Sequence, residues 1–276
     1  MLVLFLGAAV LAILVGLVLG RVVRRQNRGG PVDGAAREWI NVEDLTGPAI
    51  TLAALLLAFM LVQTHSSFQR AEQQAASEAA TVLAEHQATA FLGEPDRTAV
   101  RTDLVCYSRA VVEREWPAMA DGHADPITTR WEEQLRADLA AAAARDDARL
   151  GVSGLVDLEV SRATSRRERI SEVAPAVPAA VSWLIELTAL SILVLLCVFT
   201  WHLRPLVRTI LVGTVVVLVL MVVAGVRELD TPFSGFVRLD PSAMQATQTE
   251  IAETAAAGGA ALPCDRTGEP VAGVGS

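Results

Sequence analysis

The sequence predicts an all-α membrane protein, with four transmembrane helices in two pairs and a helical soluble domain between the pairs. Three observations predict this. Apolar residues make up 52% of the 276 positions, and they are gathered into runs. Four such runs, Met1–Gly20, Thr46–Thr64, Val181–Trp201 and Val207–Val226, are each about 19 to 21 residues long, enough to cross a ~30 Å hydrocarbon core at 1.5 Å per residue. Between the second and third runs the chain turns polar, rich in Ala, Glu and Arg, with helical periodicity and few breakers.

Taken in order, residues 1–21 form transmembrane helix 1. The run has no positive segment before it and no small-residue cleavage site at its end, so it reads as a retained span and not a secretory leader. Residues 22–45 are a short polar loop with Gly29, Gly30 and Pro31 at its break. Transmembrane helix 2 occupies 46–64, with Pro48 in its first turn. No Gly or Pro interrupts Ser66 to Phe91, so one helix should run from about Pro48 to Phe91, until Gly93-Glu94-Pro95-Asp96 stops it.

Residues 65–180 make the soluble domain: the extension of helix 2, then two or three amphipathic helices. Val100, Leu104, Tyr107 and Val111 recur at i, i+4, i+7 and i+11 and mark one apolar stripe, which Trp116-Pro117 should end. Thr128–Arg149 is helical by composition, whereas residues 150–160 fit either a short strand or a helix start. Spans three and four take 181–201 and 207–226. Pro232 should end span four, with Phe233 packing at the membrane interface. The tail, 227–276, carries an Ala-rich helix from about Ser242 to Ala257 and is expected to be disordered after about 258.

Several function classes are excluded by composition. A net charge of −8 argues against nucleic acid, because phosphate binding needs a basic face. His65, His86, His123 and His202 form no H-x-x-x-H or H-E-x-x-H pattern, and Cys106, Cys197 and Cys264 form no C-x-x-C, so no metal or cofactor is expected. No G-x-S-x-G elbow or phosphate-binding glycine loop is present, and no catalytic residue is assigned; the chain reads as a non-enzyme. Glu186, one turn into the third span, is a site candidate as an embedded carboxylate; the alternative is a side chain at headgroup depth reaching water.

Orientation follows from arginine placement. The 21–45 loop carries five Arg, and Arg204 and Arg208 flank the turn between spans three and four. An equal number lies on the other side, but the first helix usually decides. The expected arrangement is a multi-pass protein of the cell membrane with its N-terminus outside. Cys106 and Cys264 would then share an oxidising compartment and can form a disulfide; the alternative is two unpaired thiols.

Three stretches in order resemble the bestrophin-like family of bacterial four-span membrane proteins. They are Leu57-Ala58-Phe59 leading to Ser77-Glu78-Ala79-Ala80; Tyr107-Ser108-Arg109-Ala110-Val111-Val112 followed by Glu115-Trp116-Pro117-Ala118-Met119; and Leu229-Asp230-Thr231-Pro232-Phe233-Ser234-Gly235. The likeness runs from about residue 46 to 251. It implies structural roles for the motif residues Glu78, Tyr107, Glu115, Trp116, Pro117, Asp230, Pro232, Phe233 and Gly235. It also implies a homo-oligomer in the lipid bilayer that conducts an anion such as chloride, since bestrophins are pentameric anion channels with a narrow apolar neck on the second span. Here Ala53, Leu57 and Leu61, with Thr64 or His65 at the rim, would line that neck. Bestrophins keep their soluble domain in the cytoplasm, which opposes the arginine count. Their Pro-Phe-Gly motif precedes calcium-binding acidic residues, but no acidic cluster follows Pro232-Phe233-Ser234-Gly235, so calcium binding does not carry over. The rival to a channel is a non-conducting scaffold or stress-response protein that binds another protein through residues 65–180.

Overall fold

The computed structural model describes residues 42–145, 149–175, 177–200, 204–257 and 261–271, and positions 7, 16, 18, 21 and 259. Among these residues every regular element is helical. In chain order they are α1 (Val42–Ala88) with a 3₁₀ turn at Thr89–Phe91, α2 (Asp96–Ala110) with a π-helical segment at Val111–Glu115, α3 (Trp116–Ala120), α4 (Pro126–Ala143), α5 (Arg149–Ser171), α6 (Ala179–Phe199), α7 (Pro205–Leu229) and α8 (Ser242–Ala257). Three stretches are long and apolar enough to cross a membrane: Thr51–Phe91, Ala179–Cys197 and Pro205–Leu229. The first expected span, 1–21, lies outside the described residues apart from four positions. One of these, Gly16, is buried, and a Cβ there would stand 2.7 Å from Cys197 Cβ on α6. Only glycine lets the chain come that close to α6 at this position.

The chain divides into two units, Met1–His65 with Val177–Asp230, and Ser66–Ala176 with Thr231–Ser276. In the first, Met60, Val177, Ile185, Ala189, Val219 and Val223 form the core, with Leu57, Val181, Val215 and Leu220 packed on it. The opposite faces stay apolar and uncovered: Leu52, Phe59 and Val62 on α1, Trp183 and Leu187 on α6, Leu206 and Met221 on α7. Helices apolar all round satisfy their own backbone groups and suit a lipid solvent.

The second unit has an apolar core of its own. Its core gathers Leu104, Tyr107, Val111, Trp131, Leu135, Leu155, Phe233 and Ile251, together with the Cys106 and Cys264 side chains. Helix α4 starts where Asp125 accepts hydrogen bonds from the backbone N–H of Ile127 (2.9 Å) and Thr128 (3.2 Å), with Pro126 in the first turn.

The structure differs from the sequence expectations at several points. Helix α1 begins at Val42, so Pro48 lies inside it and not in its first turn; the cost is one missing backbone donor. Trp116-Pro117 does not stop the second soluble helix. The wider π turns of Val111–Glu115 precede the proline, and Pro117 then sits in the first turn of α3, where no donor is needed. Residues 150–160 are helical throughout, as part of α5. Within the tail, residues 261–271 are tied down by the contacts described below, so Gly content alone misjudges them.

Candidate functional site

On the second span, the candidate pore residues do not share one exposed face. Ala53 and Thr64 are buried by the chain itself, at 2% and 0% exposure, and cannot face an open pore from these positions. They fall on the stripe Ala53, Met60, Thr64, which recurs at helical spacing and turns inward. The Thr64 hydroxyl donates to the Met60 carbonyl at 3.0 Å. Leu57 is half-buried at the edge of this stripe, against the Met60–Ile185 core. Leu61, 38% exposed, and His65 face outward. In the same unit Glu186 is ion-paired with Arg227 of α7, and the Asp230 carboxylate accepts a hydrogen bond from the Val177 N–H at 2.9 Å. The embedded carboxylate therefore has its counter-charge on the neighbouring helix.

In the second unit, the motif residues from distant parts of the sequence converge on one buried ionic core. Arg162, Arg166 and Arg169 on α5 are spaced i, i+4, i+7 and point the same way. Arg169, fully buried, donates to Glu78 (Nε to Oε2, 2.7 Å; Nη2 to Oε1, 3.1 Å) and to Glu115 Oε2 (2.7 Å). Its third nitrogen lies 2.9 Å from the Met119 sulfur. Arg166 donates from Nε to Glu115 Oε1 at 3.1 Å, and it also pairs with Glu132. Arg162 reaches Glu85 (3.2 Å) and Glu159 (3.5 Å), and half-exposed Arg136 bridges Glu132 and Glu159 at 3.0 and 3.1 Å. The Tyr107 hydroxyl donates to Glu78 Oε1 at 2.6 Å, and the Arg162 guanidinium lies 4.4 Å over the Tyr107 ring. The π segment places Glu115 here: it presents Glu115 inward while Glu113 stays at the surface.

The charges of this core sort the titrations. Four arginines face five glutamates, so one carboxyl is in surplus. Burial pushes the Glu85 carboxyl up to about 7, against the pull of Arg162, which makes it the carboxyl of this core poised to take up a proton near neutral pH. Burial would also raise Glu115, but Arg169 and Arg166 override it and hold its carboxyl below the usual range. The Tyr107 hydroxyl is raised well above its ordinary value by burial and by Glu78. Such a core fixes geometry and can store a proton. It offers no nucleophile–base pair, and no group of three or more metal-ligating side chains occurs among the described residues.

Around this core the remaining motif residues brace the tail. The Trp116 and Phe233 rings meet edge-to-face, centroids 5.7 Å apart, and Trp116 Nε1 donates to the Leu239 carbonyl at 3.0 Å. Phe233 is thus a core residue of this unit, where the sequence reading places it at a membrane interface. Pro232 O accepts from Leu239 N at 2.8 Å, closing a turn in which Gly235 adopts φ +92°. Cys106 and Cys264 are disulfide-bonded, 158 residues apart in sequence. Beyond Cys264, Arg109 donates to the Asp265 carbonyl (3.0 Å), Arg114 to Glu269 (2.7 Å) and Trp131 Nε1 to the Gly268 carbonyl (2.6 Å).

Sequence reasoning names Glu78, Tyr107, Glu115 and Trp116 but misses their partners. Arg162, Arg166 and Arg169 enter it only through the count for membrane orientation. The signal is present, in their i, i+4, i+7 spacing on one face, opposite Glu78 and Glu85 at i, i+7 on α1.

The comparisons with known proteins bear on the fold and the family. The bestrophin-like domain model matches residues 42–244. A crystal structure of a bacterial bestrophin homologue from Klebsiella pneumoniae carrying a tyrosine-to-alanine mutation superposes with a TM-score of 0.70 at 12% identity, covering 91% of this chain and 99% of that one. A second structure of a bestrophin homologue from that organism gives 0.70 at 12%, covering 91% and 98%. A crystal structure described as a membrane protein with a proline-to-alanine mutation gives 0.69 at 13%, covering 91% and 98%. No curated protein sequence matches the chain. At these identities the likeness establishes the fold, and the domain match over most of the length establishes the kinship: the chain belongs to the bestrophin-like family.

Proposed function

We propose that the chain is one subunit of a homo-oligomeric anion channel in the cell membrane, with the outward edge of the second span, Leu61 and His65, facing the pore and Leu57 behind them. The observation that carries this reading is the uncovered apolar face of α1 in a chain of the bestrophin-like family. One helix per subunit cannot enclose a channel, so a ring of copies is required. Ala53 and Thr64 are engaged within the subunit, which leaves Leu61 as the apolar constriction. A dewetted apolar ring conducts poorly until wetted, and fixed charge there changes the ion barrier.

The test is reconstitution of the purified chain in planar bilayers under a chloride gradient. Anion-selective current is expected, with Leu61→Asp reducing chloride over sodium permeability several-fold. A monomeric, electrically silent protein would favour the scaffold reading instead.

We infer further that the N-terminus lies outside, with the unit Ser66–Ala176 and Thr231–Ser276 on that same side. The Cys106–Cys264 bond supports this, since such bonds persist in oxidising compartments and are rare in cytosol. Membrane-impermeant maleimide should label Cys106 and Cys264 in intact cells only after reduction by an impermeant phosphine. Labelling of both without any reductant, and only by a permeant reagent, would reverse the orientation.

A further inference from the structure

Phe236 is 95% exposed, beside Val237 at 44% and the exposed Arg238. They form the tip of a turn whose two feet are held by one side chain, Trp116. The Phe233 ring packs edge-to-face on its indole, and the Leu239 carbonyl accepts from its Nε1. Across the base, Leu239 N–H donates to the Pro232 carbonyl at 2.8 Å, and Ser234 N–H to the Thr231 carbonyl at 3.1 Å. Gly235 reverses the chain at φ +92°, a conformation that residues with a Cβ disfavour. The turn is thus held closed while it presents an aromatic ring, a branched aliphatic side chain and a guanidinium outward. In water this exposes apolar surface without return.

The turn's place in the chain gives that surface a setting. Its base opens at Thr231, two residues past Leu229, the end of α7, and Pro205–Leu229 is long and apolar enough to cross a bilayer. Within the first unit, the end of α7 lies beside the start of α6: Arg227 pairs with Glu186, and the Asp230 carboxylate accepts from the Val177 N–H. Near that shared end, Trp183 in the second turn of α6 is 63% exposed. Aromatic side chains on the outer face of a span mark the membrane–water boundary. The chain enters the turn directly from the end of the span so marked. Charge points the same way. Residues 231–239 contain Arg238 and no acid. The flanking acids are engaged, Asp230 by Val177 and Asp240 by the Ser242 N–H at 3.0 Å.

We infer that the Thr231–Leu239 turn is a lipid-binding element, in which Phe236 and Val237 enter the headgroup–acyl boundary and Arg238 takes the phosphate of an anionic phospholipid. Apolar side chains flanked by a cation suit that boundary, where acyl carbon and negative charge lie within one side chain's length. The inference goes beyond the channel reading: it holds whether or not the chain conducts, and on either face of the membrane.

The test puts the photoreactive p-benzoylphenylalanine in place of Phe236 in the full chain, reconstituted in vesicles of mixed phosphatidylcholine and phosphatidylglycerol. Irradiation should add the mass of one phospholipid to the intact protein, with phosphatidylglycerol enriched over its share of the vesicle. The same photoreactive residue in place of Phe91, which is 78% exposed in the 3₁₀ turn at the far end of α1, should give no lipid adduct. Arg238→Gln in the photoreactive protein should lower the preference for phosphatidylglycerol about fivefold, the worth of one basic residue at an anionic surface, whereas Arg238→Lys keeps it. Phe236 and Arg238 are both exposed, so neither substitution opens the core. No phospholipid adduct at position 236, or an equal yield at position 91, overturns the proposal. So does a product that joins two copies of the chain in place of the lipid adduct, which would make the turn a subunit contact. An unchanged lipid preference in Arg238→Gln overturns the role given to Arg238.

Discussion

Replacing Glu85 with Gln should make the protein's stability less dependent on pH, and the ionic core sets both sign and size. The Glu85 carboxyl rises from its ordinary 4.5 to about 7 on folding, chiefly because it is buried, with Arg162 opposing. A carboxyl that binds its proton more tightly in the folded state favours folding fully below pH 4.5. That advantage is lost as pH rises through 7, because the folded protein must then release a proton the unfolded chain has already given up. At about 1.36 kcal/mol per pH unit, the rise to about 7 is worth roughly 3 kcal/mol. Glutamine keeps an oxygen to accept from Arg162 Nε, a bond of 3.2 Å in the wild type, and cannot ionise. The stability of Glu85→Gln relative to wild type should therefore improve by up to about 3 kcal/mol between pH 5 and pH 8, whatever fixed cost the substitution carries. Urea unfolding of the full chain in detergent, followed by tryptophan fluorescence at half-unit pH steps, measures this difference directly. Parallel wild-type and variant profiles from pH 5 to 8 would refute proton uptake by Glu85 near neutral pH.

Arg169→Met should cost about 3–5 kcal/mol, because it strands the buried Glu78 and Glu115 carboxylates. Adding Glu78→Gln should recover about 1 kcal/mol or more, giving a positive coupling in a double-mutant cycle, where strict additivity would show that the pair acts independently. Gly268→Ala should release the tail: Gly268 sits at φ +79°, and a Cβ would stand 2.5 Å from the Ala110 nitrogen. Faster cleavage after Ala257 in limited proteolysis is the expected readout, with Cys106–Cys264 keeping the fragment attached until it is reduced.

What the sequence made legible follows from which signals are local. Spans two to four were readable because a bilayer demands about twenty apolar residues in one run, and α1, α6 and α7 each supply one. The pairing of Cys106 with Cys264 was readable because only those two thiols share a compartment once topology is assumed. The face that α1 buries was not legible by the rule that the apolar side turns inward, since the buried Ala53, Met60 and Thr64 are on the whole less apolar than their outward neighbours Ala54, Leu61 and Val62. In a membrane helix apolarity no longer marks the inside, so small residues at helical spacing were the better guide. The ionic core was hidden for a different reason. Charged side chains are expected at the surface unless paired, and the partners of Arg169 lie 91 and 54 residues away in sequence. Proline misled in the opposite direction: Pro117 is a strong local stop signal, but the π turns before it remove the clash that makes proline a breaker. That one local deviation carries Glu115 to the arginines and Trp116 to Phe233. A straight α-helix over 96–120 would retain the same residues yet turn Glu115 and Trp116 away from their present directions, so the π-helical irregularity is what joins the second motif to the first and third.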